Sequence, residues 1–270
     1  MGLSPDAVRS FLVEHAEKRD GGVYNKTTGL RIAAIVPMHT FGHPMRIEEL
    51  CALADEWGIP VVEDAAEALG SSVQGKSCGT FGEIGVFSFN GNKTITCGGG
   101  GGGAMVTNDE ALADWAKHLT TTAKIPHRWE FEHDEIGYNY RMPNLNAALA
   151  CAQLKQLDRI LADKRELADT YREFFKTVEW AGYVDEPEGC KSNFWLNAII
   201  LTDSKVRNEF LEASNSAGIM TRPIWKLMSE LKIYSDCQCG PLENSQWLEK
   251  RVVNIPSSAR RMRGQFQEEK

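Results

Sequence analysis

The stretch Gly85-Val-Phe-Ser-Phe-Asn-Gly-Asn-Lys93-Thr94 places a lysine just beyond a short apolar run. A run of this length, bounded by Asn and Gly, is consistent with a buried strand. Upstream, the run Ile59-Pro-Val-Val-Glu-Asp64 ends on a carboxylate. Ile32 to Thr40 and Gly103 to Thr107 are strand-like too. These runs are continuous rather than alternating, which predicts a mostly parallel sheet covered on both faces. Ligands of such sheets gather beyond the carboxyl ends of the strands, where Asp64 and Lys93 both fall.

Helices fill much of the remainder. Leu50, Ala54 and Trp57 recur at helical spacing within Arg46 to Trp57, and Gly58 follows as a stop. Asp109 is a fitting cap for a helix running to Ala123. Pro126 to Asp134, aromatic and charged, predicts a loop at a substrate entrance or a dimer contact. From Asn144 to Phe175 the pattern is helical almost throughout, with Leu145, Leu149, Leu154, Leu157 and Leu161 as a stripe expected in the core. Then come a strand from Asn193 to Leu201, a helix from Lys205 to Ala217 and a strand from Met220 to Trp225, an α+β arrangement. The division expected is residues 1–155 for a large domain and 156–270 for a small one. After Ser258 a basic, polar tail with Arg260, Arg261 and Arg263 predicts disorder.

Composition narrows the function classes. The chain has 270 residues, 42% of them apolar, and a formal net charge of −7. No basic stripe suggests nucleic acid. No apolar run is long enough for a membrane helix, and no signal peptide is visible. The seven cysteines are scattered; Cys237 and Cys239 are the one close pair, without partners for a zinc site. A reducing cytoplasm fits that usage.

A lone lysine after a strand is usually a solvated surface group. A lysine and an aspartate at the ends of two buried strands suit a pyridoxal phosphate site. The amine forms a Schiff base with the cofactor aldehyde, and the carboxylate keeps the pyridine nitrogen protonated. Two other motifs fail on pattern. In Gly91-Asn-Lys93-Thr94 an asparagine splits the Gly-Lys pair of a phosphate loop. The glycine run Gly98 to Gly103 leads into a strand, where a dinucleotide fingerprint opens a helix. It predicts a flexible strand-to-strand connection with positive φ.

Four stretches together resemble the DegT-type, pyridoxal-phosphate-dependent nucleotide-sugar aminotransferases. They are Val36-Pro-Met-His-Thr-Phe-Gly-His-Pro44, Val62-Glu-Asp-Ala-Ala-Glu-Ala-Leu-Gly-Ser71, Phe87-Ser-Phe-Asn-Gly-Asn-Lys93 and Gly137-Tyr-Asn-Tyr-Arg-Met-Pro143. The likeness runs from about residue 5 to Ser258 and is nearest to members acting on 4-keto sugars of the bacillosamine or legionaminic type. It implies an aspartate aminotransferase-like α/β fold (PLP fold type I) with a smaller α+β C-terminal domain. It implies a homodimer that aminates a nucleotide-linked keto sugar, glutamate being the donor.

The resemblance also assigns roles. Lys93 would carry the cofactor and move the proton. Asp64 would pair with the pyridinium nitrogen. Glu67, where many members carry Gln, would lie near the ring hydroxyl. Ser88 would donate to the cofactor phosphate, and Asn139 would reach the phosphate of a neighbouring subunit. His39 and Arg222 would face the substrate, Arg222 toward a carboxylate or diphosphate; an ordinary surface role suits Arg222 equally. No metal ligand is implied.

The chain departs from the family pattern in two places. Its glycine run is about two residues longer than the resemblance leads one to expect. It also opens on what looks like a helix from the middle of the large domain, as though roughly 100 residues of that domain were absent. No Gly-Thr or Gly-Ser helix start, the family's main phosphate grip, precedes Asp64. Cofactor binding by this chain is therefore expected to be poor or absent. Two alternatives are a truncated non-catalytic paralogue and a PLP-dependent sugar dehydratase. The dehydratase branch replaces the lysine with histidine, so Lys93 counts against it.

Overall fold

The computed structural model describes residues 2–99 and 101–260. Helix α1 (Pro5–His15), capped by Ser4, leads into the hairpin β1 (Ala16–Arg19) and β2 (Gly22–Asn25). Helix α2 (Ile47–Trp57) ends where the apolar spacing predicts, and Gly58 closes it at φ 70°. That left-handed value suits a residue without Cβ. Strand β3 (Val62–Asp64) follows, then the short pair β4 (Ser72–Val73) and β5 (Lys76–Ser77). Next come β6 (Ile84–Ser88) and β7 (Gly103–Val106).

The sheet that ends at Asp64 is parallel between β3 and β6, and β7 adds antiparallel to β6. On the other side of β3 the run predicted as a strand from Ile32 to Thr40 makes only bridges, Ile35 to Val61 and Met38 to Asp64, both parallel. Pro37 has no N–H to give a regular ladder, though its carbonyl still accepts from the Asp64 N–H at 2.8 Å. Thr40–Gly42 then turns as a 3-10 helix. Leu12, Ile35, Ile47, Leu50, Leu53, Ile59 and Val61 form the core between α1, α2 and these strands. Full burial of such a side chain contributes about 2 kcal/mol. The other face is not fully covered, since Val36 is 61% and Met105 48% exposed.

Helix α3 (Glu110–Thr120) is capped by the Asp109 carboxylate, which accepts from Leu112 N–H at 3.0 Å. The long helical run breaks at Lys155–Gln156 into α4 (Asn144–Leu154) and α5 (Leu157–Phe175). The leucine stripe is not core. Leu145 is 83%, Leu149 39% and Leu154 43% exposed, and Ala150 is the buried residue of α4. The stripe packs only toward its end, Leu157 near Phe89, Ile95 and Ile160, and Leu161 half-buried against Gly70. Residues 126–132 form an irregular loop as predicted, with Trp129 and Phe131 exposed.

Strands β8 (Ala181–Tyr183), β9 (Cys190–Lys191) and β10 (Asn197–Leu201) lead to helix α6 (Ser204–Ser216). Then come β11 (Arg222–Pro223), helix α7 (Glu243–Glu249) and β12 (Val252–Ile255). The order β11-β12-β10-β8 makes an antiparallel sheet. Its core holds Phe175, Ile199, Leu201 and Val253. Strand β9 pairs instead with β4, tying the C-terminal half back to the first. The predicted strand from Asn193 begins only at Asn197, because Phe194 takes φ 46°, outside any ladder. Ala259 packs near Phe89, and Arg260 N–H donates to Asp163. The rest of the basic tail, with Arg261 and Arg263, lies outside the described residues.

His43 sits at this seam with 2% exposure and, among the described residues, no hydrogen-bond partner for either ring nitrogen. Its ring meets Phe194 edge-on at 5.4 Å. Burial pulls its pKa from 6.5 down to about 4, although Asp185 and Glu186 oppose the shift. The unfolded chain therefore takes up the proton first. His43's contribution to stability is complete above pH 6.5 and falls as the pH drops from 6.5 toward 4. The loss by pH 4 is about 3 kcal/mol. Urea unfolding at pH 7.5 and pH 4.5 should show the wild type losing more stability on acidification than His43→Leu, by about 2 kcal/mol. Equal losses would contradict the assignment.

Candidate functional site

Asp64 and Glu63 end the same strand and point to opposite faces of the sheet. Glu63 is fully buried, and its carboxylate accepts from Gly79 N–H (2.8 Å), Gly82 N–H (2.8 Å), Phe81 N–H and His39 Nε2 (3.1 Å). Burial pushes its pKa up, but hydrogen bonds from His39 and the three amides outweigh that and hold it below the ordinary value. Glu63 thus anchors the loop before β6. Asp64 remains half-buried, and its Oδ1 accepts from Ala66 N–H at 3.1 Å.

Lys93 sits in a loop closed at its base, where Cys97 N–H donates to the Phe89 carbonyl at 3.0 Å. Its Nζ lies 3.5 Å from Glu67 Oε1 and 4.0 Å from the centre of the Trp195 ring. The Lys93 side chain is 14% exposed and that of Glu67 8%. The second Glu67 oxygen accepts from Phe41 N–H at 2.9 Å. Burial raises the Glu67 carboxyl above its usual range, against the pull of Phe41 N–H and Lys93. An ion pair this poorly hydrated, with an aromatic face alongside, holds the amine in place by electrostatics and shape together.

The predicted site residues separate into those brought together and those left apart. Asp64, Glu67, Ser88 and Lys93 lie at or just past the carboxyl ends of the adjacent strands β3 and β6. Ser88 Oγ accepts from Asn90 N–H at 3.3 Å. Asn139 is exposed and bridges Thr121. Arg222 is exposed on β11, its guanidinium 3.4 Å from Asn215 Oδ1 and 3.2 Å from the Thr221 carbonyl.

His39 does not face a substrate, contrary to the expectation. It is fully buried; Nδ1 accepts from Met45 N–H at 3.2 Å, which leaves Nε2–H to donate to Glu63. Both ring nitrogens are spent on the fold.

Sequence reasoning missed Asn193 and Trp195. Asn193 is 2% exposed. Its Nδ2 donates to the Glu67 carbonyl (2.7 Å), the Leu69 carbonyl (2.9 Å) and Thr94 Oγ1 (3.2 Å). Its Oδ1 accepts from Trp195 N–H at 2.8 Å. The Trp195 indole N–H donates to the Asn92 carbonyl at 2.7 Å. Gly42 backs this clamp at φ 86°, where a Cβ would lie 1.8 Å from Asn193 Oδ1. The one available signal was Phe194-Trp195, two adjacent aromatics that break strand alternation.

The glycine run joins β6 to β7, as expected. Asn146 Nδ2 donates to the carbonyls of Cys97 (2.8 Å), Gly99 (3.1 Å) and Gly101 (3.4 Å), and Gly100 lies outside the described residues.

A half-buried amine, a carboxylate on the neighbouring strand end and a hydroxyl on the lysine strand form a donor set that fits pyridoxal phosphate. The fold is that of the fold type I pyridoxal phosphate enzymes. An aminotransferase, TlmJ, from Streptoalloteichus hindustanus superposes with a TM-score of 0.80 at 27% identity, over 87% of this chain and 63% of that one. The profile of the DegT/DnrJ/EryC1/StrS aminotransferase family matches residues 21–268, and the chain belongs to that family. It is 38% identical over 226 residues to a GDP-perosamine synthase from Escherichia coli O157:H7, covering 83% of this chain and 60% of the relative. It is 30% identical to a UDP-4-amino-4,6-dideoxy-N-acetyl-beta-L-altrosamine transaminase from Campylobacter jejuni, over 88% of this chain and 66% of the relative. The chain thus spans less than two thirds of the length of these relatives.

Replacing Asn193 with alanine strands a buried carbonyl, a part-buried carbonyl and a buried N–H. Asn193→Ala should lower stability by about 2–4 kcal/mol. Urea midpoints would measure it, and a loss under about 0.5 kcal/mol would remove the clamp from this description.

Proposed function

We propose that this chain binds pyridoxal phosphate through Lys93 and transfers an amino group to a keto group of a nucleotide-linked sugar. The observation that carries the reading is the Lys93 amine, 3.5 Å from Glu67 and one strand away from Asp64. Bound, the cofactor supplies an electron sink for charge that develops on the substrate carbon. Lys93 provides the amine that bonds it and, once released, moves the proton at that carbon. Asp64 keeps the pyridine nitrogen charged. Glu67 holds Lys93 in place and is the proposed neighbour of the ring hydroxyl. Ser88 offers a hydroxyl to the phosphate.

Relatives named for GDP-linked and UDP-linked amino sugars support a nucleotide-sugar substrate. Glutamate is the proposed donor, and Arg222 is a candidate for the substrate's anionic group. A homodimer in the cytoplasm is the proposed setting, with Asn139 reaching a neighbouring subunit's phosphate. Among the described residues no helix is long and apolar enough to cross a membrane.

The test is an absorbance titration of the purified chain with pyridoxal phosphate, followed by borohydride reduction and peptide mapping. The expected outcome is a visible band needing cofactor in excess, with the reduced cofactor fixed on the Lys93 peptide and lost in Lys93→Ala. Fixation on surface lysines only, equal in Lys93→Ala, would sink the reading. With glutamate and a GDP-linked 4-keto sugar, Lys93→Ala should lose at least about a thousandfold in turnover.

A further inference from the structure

The ring beside Lys93 is itself held by a second lysine. Lys164, on α5, is 5% exposed, and its ammonium donates to the main-chain carbonyls of Trp195 at 3.2 Å and Ser257 at 2.6 Å. Burial pulls its pKa down to about 8. A buried ammonium is costly unless its donors are used, and here one of them is aimed at the Trp195 segment, which borders the site. Nothing in the proposed chemistry employs this residue.

Trp195 is fixed at every polar point. Asn193 takes its N–H, Lys164 takes its carbonyl, and its indole N–H reaches Asn92, next to Lys93. Its ring stacks on Trp225, 6.2 Å between centres and 12° between planes. Lys93 Nζ lies 4.0 Å from the Trp195 ring centre. Shifts of about 1 Å at a reacting group change rates by orders of magnitude, so what sets this ring sets the amine.

We propose that Lys164 is a positioning residue: by holding the Trp195 carbonyl it sets the indole against which the Lys93 amine rests. The proposal depends on Lys93 being the reactive amine of the site, yet its test needs no cofactor. Lys164→Met keeps the length of the side chain and removes every donor. Lys164→Gln keeps a donor for one carbonyl.

The experiment labels the folded, cofactor-free chain with trinitrobenzenesulfonate and follows the Lys93 peptide by mass spectrometry, with the exposed Lys205 as internal reference. Near-UV circular dichroism reports the Trp195–Trp225 stack in the same samples. Far-UV spectra establish that each variant is folded. In Lys164→Met, Lys93 labelling relative to Lys205 should change by about threefold or more and the tryptophan signal should weaken, with Lys164→Gln between it and wild type. A folded Lys164→Met with wild-type labelling and tryptophan signal overturns the proposal. So does failure of both variants to fold, because Lys164 would then serve the fold and not the site. Loss of the cofactor-binding reading would show in the borohydride mapping and leave these two readouts unaffected.

Discussion

A single side-chain amide ties two remote pieces of chain to its own turn. Asn193 reaches the backbone behind Glu67, the hydroxyl of Thr94 beside Lys93, and the N–H of Trp195. Each partner is buried or half-buried, so each would lose hydration without recompense if the amide moved. The positive φ of Gly42 and of Phe194 gives the amide its room. The amine, its carboxylate neighbour and its aromatic wall therefore occupy fixed relative positions before any ligand arrives, which is the preorganisation a reacting group needs.

Around this clamp the titratable residues divide by face. Glu63 and His39 form a closed pair that uses up their polar atoms in shaping the loops. Asp64 and Glu67, on the same short stretch, lie where the strands end, and Glu67 pairs there with Lys93. Neighbouring acids in sequence thus acquire separate duties because a strand alternates its side chains.

Much of this was legible in the residues. Apolar runs ending on Asp64 and before Lys93 marked the strand ends, and Gly58 and Asp109 marked helix limits through their capping chemistry. What escaped was tertiary. The stripe Leu145, Leu149 and Leu154 has helical spacing but remains exposed, since periodicity tells which residues share a face and not what covers it. His39, a polar residue in a motif, suggested a ligand contact, yet burial made it structural. Asn193 and Trp195 were read as strand because the pairing that makes them a clamp lies far away in sequence.

That distance has a kinetic side. Asn193 is separated from Glu67 by 126 residues and from Thr94 by 99. Contacts of such reach raise contact order, and closing the loops between them costs entropy before any bond repays it. During synthesis the strand carrying Asp64 and the loop carrying Lys93 leave the ribosome well before their fastener exists. The first half of the sheet can pair early, while the amine stays untethered until the segment after β9 has emerged. Closure of the clamp around Lys93 is thereby expected late in folding, after residues 193–195 have been made.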